Sequence, residues 1–140
     1  MSRLPVQFLE QGFHRVLFDA MPVPVFVVDD DIRIFDYNAA AAKLLGKGKR
    51  LILRHRGGEV LNCIHAAETP GGCGRAPACR DCVVRKTVRA AARGHRVVRQ
   101  RVQMELVRNG KIIPLNLQVS CQPFTYGQSS FILLVLEGLD

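Results

Sequence analysis

Four of the five cysteines in this chain crowd into one stretch, Cys63-x9-Cys73-x5-Cys79-x2-Cys82, while Cys121 stands apart. Thiolates are soft donors suited to zinc or iron, and four of them complete a tetrahedral site or hold an iron–sulfur cluster. Cys73 and Cys79 lie in a segment of glycine, proline and arginine with little core to join, so they are poorly placed to pack as small hydrophobes. Three readings are open for the group: a metal or cluster site, which the spacing favours, a thiol–disulfide switch, or inert reduced thiols. Gly71, Gly72 and Gly74 permit unusual backbone angles around Cys73 and let N–H groups approach sulfur. Arg75, Arg80 and Arg85 can offset the charge of several thiolates. His65 is an additional candidate ligand, although a lone histidine there also reads as helix surface. Structural zinc sites usually carry two close-spaced pairs, and here Cys79-x2-Cys82 is one such pair beside two single cysteines. That pattern favours an iron–sulfur cluster, with structural zinc as the alternative.

The rest of the chain must position this segment. With 140 residues, 48% of them apolar and 23% charged, it has enough material for one folded core. No apolar run is long enough for a membrane span, and Met1–Phe8 lacks a signal-peptide pattern, so a cytoplasmic location without membrane association is expected. Twenty Lys and Arg against twelve Asp and Glu give a formal charge of +8, which suits an acidic partner. The basic groups Lys47–Arg56 and Arg89–Arg101 are not interleaved with aromatic residues, so nucleic acid is not the favoured partner.

Pro5–Ala20 reads as a helix whose apolar residues Val6, Leu9, Phe13, Val16 and Ala20 repeat at 3–4 spacing. The stripe suits either a dimer seam or docking onto the chain's own domain; residues 1–20 are expected to act as a dimerising or capping helix before a single domain over 21–140. Val25–Val28 and Ile32–Tyr37 read as a hairpin about the turn Asp29-Asp30-Asp31, whose carboxylates are expected to serve only the turn. Asn38 and Gly46 bracket a helix over Ala39–Leu45. Gly58–Ala66 is expected to be a short helix, Glu68–Arg80 a loop, and Cys82–Ala92 a helix capped by Asp81. Three strands follow. Val98, Val102, Met104 and Leu106 share one face of the first, and Asn109-Gly110 turns into the second, where Leu115, Leu117, Val119 and Cys121 face the core. Phe131–Leu136, apolar on both faces, reads as the central strand.

This order resembles the PAS domain, most closely at Phe18-Asp19-Ala20-Met21-Pro22 running into Val25–Asp29, and from Ile32 to Asn38-Ala39-Ala40-Ala41. The resemblance implies an α+β fold, a five-stranded antiparallel sheet with short helices on one face and an N-terminal helix, in a sensory and dimerising module. The block Gly58-Glu59-Val60-Leu61, Cys63-Ile64-His65-Ala66, Pro70-Gly71-Gly72-Cys73-Gly74 and Cys79-x2-Cys82 with Arg85 is similar to a subset of bacterial sensory PAS domains. That similarity makes Cys63, Cys73, Cys79 and Cys82 the candidate ligands. Asn62-Cys63 bears comparison with the flavin-binding LOV branch, but Ile64 stands where that motif has arginine, so flavin is not expected. Haem is not expected either, since His65 and His95 have no accompanying signature. Gly-x-Ser-x-Gly, Walker A and His-Glu-x-x-His patterns are absent, and no enzymatic activity is expected. The expected function is sensing of redox state or oxygen by a homodimer that signals to a separate histidine kinase or regulator. The alternative is a basic, zinc-stabilised module binding nucleic acid or an acidic protein.

Overall fold

The computed structural model describes residues 12–138. Helix α1, Phe13–Ala20, leads into a hairpin of β1, Val25–Val28, and β2, Ile34–Tyr37. Three short helices follow: α2, Ala39–Leu45; α3, Lys49–Ile52; and α4, Gly57–Leu61. Two 3-10 turns, Ile64–Ala67 and Pro77–Asp81, precede the longer helix α5, Val83–Ala92. The chain ends in β3, Val97–Arg108, β4, Lys111–Tyr126, and β5, Ser129–Gly138. The five strands form one sheet in the order β2-β1-β5-β4-β3, every neighbouring pair antiparallel. The expected fold class is the observed one, and Phe131–Leu136 lies at the centre of the sheet.

Alternation along the long strands turns Met104, Leu106, Leu117, Val119, Cys121, Ile132, Leu134 and Leu136 inward. Val84, Val88 and Ala91 of α5 meet them, with Ile52, Val60 and Leu61 completing the core. Asn38 caps α2 as its sequence position suggested, and being buried it does more. Its Oδ1 accepts from the N–H of Ala41 and of Val25, each at 3.0 Å, and its Nδ2 donates to the Val23 carbonyl at 2.9 Å. One side chain thereby fixes β1 to α2.

Several local expectations need correction. Val98 does not share the inward face, since it is 54% exposed. A bulge between Val97 and Gln100, with Arg99 at φ 53°, shifts the register so that Val97 pairs with Cys121. One inserted residue reverses every face before it. The helix expected over Gly58–Ala66 stops at Leu61, because Asn62 takes a left-handed conformation at φ 61°. The basic stretch contains helix α3, and Cys82, not Asp81, is the N-cap of α5. The Asp81 side chain is exposed and meets Lys86 at 3.7 Å. Val6 and Leu9 lie outside the described residues. Among the described residues no helix is long and apolar enough to cross a membrane.

Candidate functional site

The cysteine segment is anchored at both ends before any ligand is considered. At its start, the left-handed Asn62 accepts the Val107 N–H at 2.8 Å, and Cys63 forms an antiparallel bridge to Leu106 of β3. Lys47 supports this turn, its Nζ donating to the Val60 carbonyl at 2.7 Å and to Asn62 Oδ1 at 3.0 Å. At its end, Cys82 is the N-cap residue of α5. Between them Glu59 holds the loop to α4: Oε1 accepts the Arg56 N–H at 3.2 Å and Oε2 the Cys73 N–H at 3.3 Å.

Cys63, Cys73, Cys79 and Cys82 all line one cavity of about 50 Å³ between this loop, α5 and the inner face of the sheet. The remaining wall is chiefly aliphatic, with Arg85 as its buried cation. As the side chains stand, the space takes an ion or a few atoms. Gly58 makes the close approach possible: a β-carbon there would stand 2.7 Å from Cys73 Sγ and 3.5 Å from Cys63 Cβ. Two donors serve the sulfurs. The Gly74 N–H donates to Cys79 Sγ at 3.3 Å, and Arg85 Nη2 donates to Cys73 Sγ at 3.3 Å. Burial pushes the Cys63 thiol up; backbone N–H groups of His65 and Ala66 oppose this, while charge on Cys82 and Cys73 adds to it.

All five cysteines are free. Among the described residues, no three His, Cys, Asp or Glu side chains are grouped so as to hold a metal ion. Thiol donors suit zinc or iron in type, but the four sulfurs do not converge on one point as the side chains stand. His65 also lines the cavity, but its Nδ1 is engaged by Glu68 Oε1. Cys121 lies on β4 in the core, opposite Val97, with its thiol pushed up to about 12 by burial, and it does not line the cavity.

Sequence reasoning missed Asp31, which it gave only to the turn. Its carboxylate receives Arg85 Nη1 at 2.9 Å, Arg56 Nε at 2.8 Å and Arg75 Nη2 at 3.2 Å. No local pattern announces these pairs, because the partners come from three other segments. The basic groups are likewise partly internal: Lys47 and Arg56 hold the site, and Arg54 stacks on Phe35 at 4.6 Å from the ring centroid.

A family model described as PAS domain matches residues 12–77. Solved structures match over nearly the whole chain. The PAS domain of nitrogen regulation protein NR(II) from Vibrio parahaemolyticus has a TM-score of 0.61 at 17% identity, over 92% of this chain and 100% of that one. The chain has the PAS fold. The PAS domain of an HTR-like protein from Haloarcula marismortui shares this fold with a TM-score of 0.58 at 16% identity, over 94% and 98% of the two chains. So does a domain of a sensory box sensor histidine kinase/response regulator from Geobacter sulfurreducens, at 0.56 and 18%, over 93% and 95%. No curated protein matches the sequence. Within the PAS fold, the cysteine cavity occupies the space between the helical layer and the sheet.

Proposed function

We propose that this chain is a sensory module of a signal-transduction protein, in which Cys63, Cys73, Cys79 and Cys82 hold a centre that reports redox state or oxygen. The observation that carries this is that four cysteines from the loop and the start of α5 line one cavity. An iron–sulfur cluster is preferred to zinc because the segment has one CxxC pair and two single cysteines. When bound, such a cluster supplies a redox couple that is labile to oxygen. The chain's own residues do the rest. Gly74 and Arg85 donate hydrogen bonds to sulfur, the aliphatic wall excludes water, and Cys63 ties the site to β3. The likeness to a domain of a sensor histidine kinase supports a separate histidine kinase or regulator as effector.

A homodimer through α1 belongs to the same proposal. Phe13 is half-buried and Ala20 exposed, while Val16 and Leu17 are 54% and 53% exposed. Polar contacts tie the helix to its own domain: Arg15 meets Asp36 at 2.7 Å, and Asp19 accepts the Ala39 N–H at 2.9 Å. That leaves Val16 and Leu17 exposed for a second copy.

Anaerobic purification followed by iron, sulfide and zinc analysis and an absorption spectrum tests the centre. Iron and sulfide with visible absorption, both lost in a Cys79→Ser/Cys82→Ser variant, is the expected result. Zinc alone would replace redox sensing with a structural site, and neither metal would overturn the cysteine-ligated centre.

A further inference from the structure

Arg85 is 2% exposed and makes contacts in two directions. Toward the loop, Nη2 donates to the Cys73 carbonyl at 3.0 Å and to its Sγ at 3.3 Å. Toward the sheet edge, Nη1 donates to Asp31 Oδ1 at 2.9 Å and Nη2 to the Asp31 carbonyl at 3.4 Å. Its Nε is buried without a hydrogen-bond partner. Asp31 sits in the turn between β1 and β2, where Asp29 Oδ1 accepts the N–H of both Asp31 and Arg33 at 2.9 Å. We propose that Arg85 is a positioning residue that couples the cysteine cavity to the β1–β2 turn, so that a change at the Cys73 sulfur is registered at Asp31. This rests on the reading of the cavity as the sensing site.

The guanidinium is planar and permanently charged, so it responds to a moved or newly bonded sulfur by turning as a unit. The unused Nε–H gives it a second arrangement, in which Nε serves a negatively charged group in the cavity and the bonds to Asp31 are given up. Asp31 tolerates that exchange because Arg56 and Arg75 still face it at 2.8 and 3.2 Å. Gly74 leaves the space for the guanidinium, since a β-carbon at that position would run into it. Two discrete arrangements of one side chain, each satisfying a different partner, are the physical requirement for coupling between sites.

Hydrogen exchange at the Arg33 and Ile34 amides of the reduced, metal-free full chain reads the turn directly. These amides donate to Asp29 Oδ1 at 2.9 Å and to the His55 carbonyl at 3.0 Å. Cys73→Ala is expected to change exchange there by about fivefold or more in the wild-type background, and to add nothing in an Asp31→Asn background. An equal change in both backgrounds, or none in the wild type, overturns the coupling. If Cys73→Ala does not fold, Gly74→Ala displaces Arg85 from the loop side and enters the same comparison. Cadmium ion, followed by thiolate–cadmium absorption, separates the two readings. Failure to bind it counts against the cysteine centre, while the variant comparison still decides the role of Arg85.

Discussion

Gly58 on α4 and Cys73 in the loop are packed so tightly that a β-carbon on the glycine would stand 2.7 Å from the cysteine sulfur. Gly58→Ala therefore forces the thiol or the helix to move. A loss of about 1–3 kcal/mol is expected in urea unfolding, the usual cost of overpacking. Iron content after anaerobic purification should fall with it. Gly48→Ala is the control, since a β-carbon there meets nothing within 4 Å.

Asp31 makes the site sensitive to acid. Burial by itself would raise its carboxyl pKa, but hydrogen bonds from Arg56 and Arg85 outweigh it and hold the group at about 2 against an ordinary 3.8. A carboxylate depressed in the folded state stabilises above its unfolded pKa and loses that contribution as pH falls toward the folded value. Melting temperatures should accordingly show a component lost between about pH 4 and pH 2, worth roughly 1–2 kcal/mol after solvent screening. Asp31→Asn should abolish that component. At neutral pH the same variant removes the same charge interaction and should cost a similar amount, about 1–2 kcal/mol.

Cys121 is expected to be inert. Its thiol, pushed up to about 12 and almost fully buried, should resist alkylation in the native state and react on unfolding. Cys121→Ser places a hydroxyl in the core and should cost about 1–3 kcal/mol while leaving metal content unchanged. A drop in iron or zinc would assign it to the site.

Asn38 joins β1 to α2 through three hydrogen bonds from one buried amide. Asn38→Ala leaves the Val25 and Ala41 N–H groups without the side-chain acceptor and should destabilise by roughly 2–4 kcal/mol. Asn38→Asp keeps the acceptor but loses the Nδ2 donor to Val23, so it should retain part of the difference in a thermal melt.

The apolar side chains of α1 predict the oligomeric state. Val16→Asp with Leu17→Asp should yield a folded monomer by light scattering with an unchanged far-UV spectrum, because both side chains are already more than half exposed within the chain. A double variant that remains dimeric would remove α1 from the interface.

Much of the fold is written in short-range pattern. Alternation along Leu115–Cys121, the Asn109-Gly110 turn with both residues at positive φ, and the Asn38 cap each depend on residues a few positions apart. Such signals specify strands, turns and caps before any tertiary contact forms, and the clustering of four cysteines is equally a property of the chain. What tertiary structure decided is of another kind. The bulge at Arg99 turned Val98 outward because pairing with β4 places Val97 opposite Cys121. Asn62 ended α4 where its carbonyl meets the Val107 N–H and Cys63 joins Leu106, a bond only β3 can offer. Asp31 became the meeting point of Arg56, Arg75 and Arg85 because the closed fold brings four segments to one place. Charge partners separated by such lengths of chain leave no periodicity to read; they exist only when the sheet and helices have packed.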